Sequence, residues 1–401
     1  MGVFSSRLIV AAAGAALLLR LAFGFLYWTD KPLTHDEREY LALGASLAAG
    51  RGFVYSDPEP KGTAAQFGRA PGYPAFLALL GPDELATSTP ASVKAVQSFF
   101  GALAVLLVAA LARDAAGERA GSIAACLAAV YPPFVWIPAY ALSEALYLPL
   151  ILGCVLLLSR ADTMLRLFVA GALCGVAILV RPGTLVFVPL AAIWLLRRRR
   201  KAADALAFAL AAAFVVAPWT LRNLQTHGKL VLVASEGGVT FWTGNHPLAH
   251  GEGDLAANPE IKRAELAFRL EHPGLSAEQL EPLYYQDALR HIREQPGRWV
   301  VLLLKKAFYT LVPIGPSYTL HSTRYQLGSV APYAMLAPLA VGGLIVIARR
   351  GRPPEYLYLL AASVVLTSLI FFPQERFRIP VIDPFVIVAA SAALGGVTRA
   401  R

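Results

Sequence analysis

The stretch LIVAAAGAALLLRLAFGFLYW, residues 8–28, carries a single charge, Arg20. About 20 predominantly apolar residues in a helix cross the hydrocarbon core of a bilayer, so this stretch reads as a membrane span. It is too long for the apolar core of a signal peptide and has no clean small-residue cleavage site, so it is expected to be retained. Runs of the same kind recur at 92–112, 121–140, 143–159, 164–180, 184–196 and 204–221, and again at 299–315, 330–348, 355–372 and 380–397. The repetition predicts an all-α polytopic membrane protein of about ten transmembrane helices, or eleven if every run crosses. Composition agrees: 57% of residues are hydrophobic, 15% are charged, and the mean hydropathy is +0.55. Soluble domains run about 45–50% apolar and about 25% charged. A soluble enzyme, a disordered chain and a secreted disulfide scaffold are thereby excluded. Cys126, Cys154 and Cys174 all sit inside apolar runs, which leaves neither a disulfide framework nor a CxxC metal site.

Charge sets the orientation. The net charge is +10, from 36 Lys and Arg against 26 Asp and Glu. The basic run at 197–201 and the group Arg349, Arg350 and Arg352 abut apolar segments. They read as cytoplasmic anchors, not as a nucleic-acid surface. Both termini then lie inside, and segments 29–91, 138–143, 181–183 and 222–298 lie outside. The count closes only if 299–315 does not cross. Its sequence has Lys305 and Lys306 in the middle and Pro313 and Pro316 at the end, which suits a helix lying in the interface. Three parts follow: a membrane bundle over 1–221 with a first outer loop at 29–91, an outer, periplasmic lid at 222–298, and an interfacial helix with the C-terminal membrane helices over 299–401. Within the first loop, 38–50 and 72–80 are short helical stretches, read as surface helices. The lid holds five of the seven histidines; it is too small to bury a substantial core of its own and is expected to pack on the bundle.

The polar residues at the span ends gather on the outer side of this topology. They are Asp36 and Glu37 after the first span, Arg69 and Tyr73 in RAPGYP, Glu144 in SEALY and Arg181 in VRPG. Arg222 and Asn223 follow in PWTLRN, Asn245 and His246 in FWTGNHP, and Arg376 and Arg378 in QERFRIP. Boundary charges are costly and mark functional cavities. Guanidiniums bind phosphate oxygens in a fork and stay charged when partly buried. A carboxylate beside them can take a proton from a hydroxyl or amine. The set therefore suits an anionic lipid headgroup and a deprotonated nucleophile: Asp36, Glu37 and Glu144 as catalytic acids, and Arg69, Arg181, Arg222, Arg376 and Arg378 for a donor phosphate. Tyr73, Asn223, Asn245 and His246 are candidates for contacting the substrate. Structural readings stand beside these. Asp36 and Glu37 also suit a helix start, Glu144 a helix N-terminus, Arg181 a snorkelling anchor, Arg376 and Arg378 interface anchors, and Arg222 with Asn223 a helix stop. His246 and His250 have a metal-ligand spacing, but Pro247 and the surrounding glycines argue against the helix it would need, so no metal ligands are assigned.

The order HDEREYLALGASLAAGRGF, RAPGYPAFLALL, a Ser-Glu at the head of a span, VRPG, then PWTLRNLQTHGKLVLVASEGGVTFWTGNHPLAHGEGD and ERFRIPVIDP resembles the GT-C glycosyltransferases. More narrowly it is similar to the bacterial branch related to protein O-mannosyltransferases and the lipid A aminoarabinose transferase. The resemblance covers about residues 30 to 390. It implies a helical membrane bundle with surface helices in the first outer loop and a polyprenyl-phosphate sugar as donor. It also implies a first-loop acid, here Asp36 or its neighbour Glu37, as base or acceptor-positioning group. Arg69 would then lie near the donor phosphate, and Glu144 would be the second acid. Relatives often carry an aromatic pair after the first acid, where this chain has Glu37-Arg38-Glu39-Tyr40.

The expected activity is inverting transfer of a sugar from a polyprenyl-phosphate donor to a lipid, glycan or protein acceptor. The site would face the periplasm from the inner (plasma) membrane, among membrane lipids. The chemistry requires no cofactor, since polyprenyl phosphate is already a good leaving group, though the acid pair leaves a divalent metal open. Two rival readings are a lipid-linked oligosaccharide ligase or polymerase with a diphosphate-linked donor, and a flippase or transporter. The latter would be expected to show internal repeats and charges near mid-membrane.

Overall fold

The computed structural model describes residues 2–54, 68–199, 201–253, 256–349 and 354–396. Helix α1 (Gly2–Ala22) runs into a π-helical turn (Phe23–Tyr27). The first loop carries α2 (His35–Ala48) and α3 (Gly72–Ala78). The bundle continues with α4 (Ala91–Ala116), α5 (Glu118–Val130), α6 (Pro132–Trp136), α7 (Ser143–Ser159), α8 (Met164–Val180), α9 (Phe187–Arg199) and α10 (Ala202–His227). The segment 222–298, expected as a lid, contains α11 (Gly237–Asn245), α12 (Pro259–Leu270) and α13 (Ala277–Glu294). Then come α14 (Pro296–Leu311), α15 (Thr323–Arg349), α16 (Glu355–Ile370), α17 (Glu375–Arg378) and α18 (Ile382–Gly395). The described residues form helices and turns, with no strand among them.

Among the described residues, four helices are long and apolar enough to cross a membrane singly: Ser6–Tyr27, Ala91–Ala116, Ala202–His227 and Thr323–Arg349. The run expected as one span at 121–140 is instead a broken pair bent by 61°. The break falls at Tyr131-Pro132-Pro133, where proline removes a helical N–H and clashes with the preceding turn. Ser143–Ser159, Met164–Val180, Glu355–Ile370 and Ile382–Gly395 are apolar but of 10–17 residues, so each is shorter than the ~30 Å hydrocarbon thickness at 1.5 Å per residue. The run at 184–196 opens with a 3₁₀ turn (Pro182–Val186) before α9. Several of these short helices are core elements: on α7 and α18 most side chains are buried against other helices.

Small residues set the packing, as expected where helices associate by close backbone approach. A Cβ at Gly171 of α8 would lie 2.2 Å from the Phe208 carbonyl of α10, and one at Gly343 of α15 would lie 1.7 Å from the Ala389 carbonyl of α18. The two ends of the bundle differ in chemistry. At one, Arg160 pairs with Asp114 at 2.7 Å, Arg199 binds Asp204 and the Ala161 carbonyl, and the Trp194 indole N–H donates to Glu355 at 2.6 Å. At the other meet the C-terminal ends of α1, α8 and α10 and the N-terminal ends of α4 and α7. There Lys94 Nζ donates to the Gly24 and Trp28 carbonyls.

The lid has a small apolar cluster of its own, in which Trp242, Ile261, Leu280, Tyr284 and Ala288 pack with Leu302 of α14. Asn245 is one of its ties to the bundle. Asn245 Nδ2 donates to the Phe241 and Ile370 carbonyls, while its Oδ1 accepts from Trp299 Nε1 and Lys306 Nζ, both at 3.0 Å. Lys306 is fully buried and also donates to the Leu369 carbonyl.

Candidate active site

The first loop positions the acids through a helix cap. Thr34 caps α2, with its hydroxyl accepting from the Glu37 N–H at 3.4 Å. Glu37 turns inward and is 2% exposed. Its Oε2 accepts from the Thr34 N–H and hydroxyl, and its Oε1 from the Thr89 hydroxyl and the Ala141 N–H, each at 2.9 Å. Asp36 and Glu39, three positions apart, face the other way and reach Arg69. Arg69 Nη2 donates to Asp36 Oδ1 at 2.8 Å, and Arg69 Nε to Glu39 Oε2 at 2.8 Å. Arg69 Nε is also 3.1 Å from Glu236 Oε1, which brings the lid into the cluster.

The other side of Asp36 belongs to the C-terminal part of the chain. Arg376 Nη2 donates to Asp36 Oδ2, and Arg376 Nε lies 3.5 Å from Glu144 Oε1. The same Glu144 oxygen accepts from Arg181 Nη1 at 2.7 Å. Arg181 also donates to Ser143 Oγ at 3.1 Å, and its guanidinium lies 4.5 Å from the Phe377 ring. A continuous ionic chain results, Glu39 and Glu236 to Arg69 to Asp36 to Arg376 to Glu144 to Arg181. Its elements are α2, α7, α17, the turn before α3, the end of α8 and the start of α11. Burial pushes the Asp36 carboxyl up, but Arg376 and Arg69 outweigh it and hold the group well below the usual carboxylate range. Burial wins at Glu236, which is raised despite Arg69.

Beside Arg69 opens a groove of about 320 Å³. Arg69, Phe53, Trp219, Arg222, Asn223, His227, Ser235 and Glu278 are among the residues lining it. Arg222 lies 4.8 Å from the Trp219 ring and donates to Asn223 Oδ1 at 3.2 Å. Its other polar neighbour is His227 Nε2 at 3.4 Å, so no carboxylate neutralises it among the described residues. Ser235 closes the groove by accepting from the Gly68 N–H at 2.8 Å, while its own N–H donates to the Gly68 carbonyl at 3.1 Å.

The sequence-predicted residues therefore separate. The structure brings Asp36, Glu144, Arg69, Arg181 and Arg376 into one cluster and places Arg222 and Asn223 in the adjoining groove. Glu37 is anchored away from the cluster. Tyr73 is fully buried and donates to Gln97 Oε1 at 2.7 Å. Arg378 is 2% exposed, with Nη1 3.4 Å from Asp383 and its guanidinium 4.7 Å from the Tyr333 ring. Asn245 is the tie described above. His246 packs 4.2 Å from the Trp242 ring centroid, and burial, with His291 beside it, lowers its pKa to about 4. Sequence reasoning missed Glu39 and Glu236 in the cluster and Phe53, Trp219 and Glu278 in the groove. Glu39 had a usable signal, being one helical turn from Asp36; Glu236 and Glu278 had none, because only the folded lid brings them close.

Residues 69–221 match the family described as dolichyl-phosphate-mannose-protein mannosyltransferase. No curated protein matches the chain. Among solved structures, the Archaeoglobus fulgidus oligosaccharyltransferase in complex with Zn and sulfate superposes with a TM-score of 0.58 at 16% identity, covering 97% of this chain and 48% of that one. The archaeal oligosaccharyltransferase AglB from the same organism, in complex with an inhibitory peptide and a dolichol-phosphate, gives 0.54 at 15% identity, covering 98% and 50%. ArnT from Cupriavidus metallidurans bound to undecaprenyl phosphate gives 0.43 at 13% identity, covering 96% and 77%. The chain spans about half the length of the oligosaccharyltransferase structures. The likeness to the two oligosaccharyltransferase structures shows the fold, a helical bundle of the GT-C type, and its long apolar helices make it a multi-pass membrane protein.

Zn in one neighbour raises the question of a metal here. Among the described residues no group of three or more His, Cys, Asp or Glu side chains is placed to hold an ion. Both Asp36 oxygens and the Glu144 Oε1 already face guanidiniums. With guanidiniums on three of the four oxygens of Asp36 and Glu144, the pair as it stands fits a resident divalent cation poorly, and the fourth oxygen, Glu144 Oε2, is buried without a hydrogen-bond partner.

Proposed function

We propose that the protein is a membrane glycosyltransferase. It moves a sugar from a polyprenyl-phosphate donor to a lipid, glycan or protein acceptor at the outer face of the membrane, with inversion at the anomeric carbon. The observation that carries the reading is the Asp36–Arg69–Arg222 arrangement. An ionised carboxylate held by two guanidiniums stands beside a groove whose far wall offers a guanidinium with no carboxylate of its own. The matched family's description and the dolichol-phosphate in one solved structure support a lipid-phosphate donor.

The chemistry follows from these places. The donor phosphate enters the groove, where Arg222 takes up the charge that grows on it as the bond to the sugar breaks, while Arg69 beside it holds Asp36; such stabilisation is commonly the largest catalytic contribution. The lipid tail runs along the exposed apolar face of α10, where Leu206, Leu210, Phe214, Leu221 and Leu224 lead up to Arg222. An acceptor oxygen or nitrogen attacks the anomeric carbon from the side away from the phosphate. The bonding pair leaves with the phosphate, and Asp36 receives the acceptor's proton. Arg181 and Arg376 keep Glu144 and Asp36 in register. The lid segment at Ser235–Glu236, bound to Gly68 and Arg69, excludes water that would otherwise hydrolyse the donor. With the basic end of the bundle on the cytoplasmic side, the cluster faces outward.

The test is a transfer assay in detergent or liposomes with a panel of polyprenyl-phosphate sugars, reading released polyprenyl phosphate. Wild type should turn over one donor, and Asp36→Asn should lose about 10²–10⁴-fold, the range for removing a general base. Turnover unchanged in Asp36→Asn would remove Asp36 from the chemistry. Release from a diphosphate-linked donor alone would replace the donor class.

A further inference from the structure

The two catalytic-side carboxylates come from distant parts of the chain, Asp36 on α2 and Glu144 on α7. One side chain spans both. Arg376, 340 positions after Asp36, donates through Nη2 to Asp36 Oδ2 and lies with Nε 3.5 Å from Glu144 Oε1. A bridging position between two acids is where a divalent cation would sit, drawing oxygens to about 2.0–2.6 Å. Here a planar cation with directed donors fills it. The ionic cluster holds four acids, Asp36, Glu39, Glu144 and Glu236, against three guanidiniums, Arg69, Arg181 and Arg376. Its net charge is therefore one negative, and without Arg376 it would be two negative.

The position is also fixed from outside. Residues of α17 and the turn before it bind one another and partners from elsewhere in the chain. Gln374 Oε1 accepts from Arg376 Nε at 3.2 Å, and Glu375 Oε1 accepts from the Tyr325 hydroxyl at 2.8 Å. His321 Nε2 is 2.7 Å from the same Glu375 oxygen, the Phe377 ring lies against Arg181, and Arg378 is buried against Asp383. The Gly253 backbone adds two more ties, donating to the Pro373 carbonyl at 3.1 Å and accepting from Gln374 Nε2 at 3.4 Å, and a four-residue turn clamped in this way can hold one guanidinium between two carboxylates.

We infer that Arg376 is a built-in substitute for a divalent cation. It bridges Asp36 and Glu144, so that the site works without metal, and deleting its guanidinium turns the acid pair into a cation site. The inference rests on the proposed transferase reading, yet its test reads cation binding, which needs no donor or acceptor. The probe is Mn²⁺, titrated by electron paramagnetic resonance into EDTA-stripped, desalted protein. Wild type should bind no Mn²⁺ that Asp36→Asn abolishes. Arg376→Ala should gain one Mn²⁺ per chain with at least tenfold higher affinity than wild type, and Arg376→Ala with Asp36→Asn should lose it again. Arg376→Lys, which keeps the charge, should gain none and serves as the folded control. Where transfer is measurable, wild-type turnover should survive EDTA unchanged, and Mn²⁺ should restore part of the turnover lost in Arg376→Ala. A wild-type Mn²⁺ site that depends on Asp36, or Arg376→Ala that folds and gains no Mn²⁺ affinity, would overturn the inference. Failure to find any donor would count against the transferase reading and leave the cation titration standing as the deciding result.

Discussion

Asp36 and Glu37 are neighbours in sequence, and the structure gives them opposite tasks, which substitution separates. Glu37 accepts four hydrogen bonds inside the protein, joining the cap of α2 to Thr89 before α4 and to Ala141 before α7. In Glu37→Ala the two threonine hydroxyls can turn to other acceptors, but the N–H groups of Thr34 and Ala141 cannot. At ~1.5–3 kcal/mol for each hydrogen bond to a charged group, the loss is about 3–6 kcal/mol. With ~2 °C per kcal/mol as the upper end for a large chain, the apparent melting temperature in detergent should fall by several degrees and by no more than about 12 °C. Glu37→Gln keeps one acceptor oxygen and turns an NH₂ toward two donors, so it should fall by about half as much. The assay is thermal unfolding by tryptophan fluorescence, paired with turnover per folded molecule. Asp36→Asn loses the stability that its pairing with Arg69 and Arg376 supplies, but its turnover per folded molecule should fall far more than any drop in melting explains. If Glu37→Gln melts within about 1 °C of wild type and its turnover drops a hundredfold, a drop in the range for a lost general base, the assignment of Glu37 to the scaffold is wrong.

Three further outcomes follow from the same geometry. Arg222→Ala should raise the donor KM about 10–100-fold, the equivalent of one charge-assisted hydrogen bond at ~1.5–3 kcal/mol, with Arg222→Lys recovering part of it; donor-concentration curves decide this, and an unchanged KM would remove the phosphate from the groove. Because Arg376 and Arg69 hold the Asp36 carboxyl low, Asp36 stays ionised throughout the neutral range. Its contribution to stability is present above the unfolded value of about 3.9 and is lost only as pH falls below it. Arg69→Gln weakens that hold, so the acid limb of its pH–turnover profile should move to higher pH than in wild type. Burial lowers Lys306 to about 7. Between about 7 and about 10.4 the unfolded chain then binds a proton that the folded one does not, so stability should rise with pH by at most ~1.4 kcal/mol per unit; Lys306→Met should flatten that rise between pH 7 and 9, and an identical slope in the variant would exclude Lys306 as its source.

The helical membrane fold was largely legible, because apolar runs report an apolar environment directly. The α2 and α3 helices of the first loop were legible too, with α2 starting at the Thr34 cap. The form of individual spans was less so. At 121–140 the apolar count fits one crossing, but the paired prolines Pro132 and Pro133 bend it by 61°. At 184–196 the apolar count could not show that Pro182 and Gly183 would open a 3₁₀ turn. Hydropathy measures transfer to an apolar phase and carries no information on whether that phase is lipid or neighbouring helices. That is why α7 and α18, short and mostly buried, looked the same as lipid-facing spans. Glu236 and Glu278 lie beyond reach for a different reason: their proximity to Arg69 and to the groove arises from long-range packing of the lid, which leaves no local pattern.

The arginines mark where sequence position stops determining role. Arg20, Arg69, Arg181, Arg222, Arg376 and Arg378 all sit in or at the ends of apolar runs. Arg20 is spent on the Ala16, Ala128 and Ala129 carbonyls and joins α1 to α5. Arg378 is matched by Asp383 within the bundle. Arg69, Arg181 and Arg376 are matched by carboxylates at the site, so their charge orders acids before it can serve a phosphate. Only Arg222 in this group meets a groove with aromatic and neutral polar partners. A guanidinium already paired with a carboxylate gains little from a second anion, because the first has cancelled most of its field, whereas one stacked on an indole keeps its charge available. The division of labour between holding Asp36 and receiving the phosphate therefore follows from what each arginine is paired with, and pairing is a property of the fold.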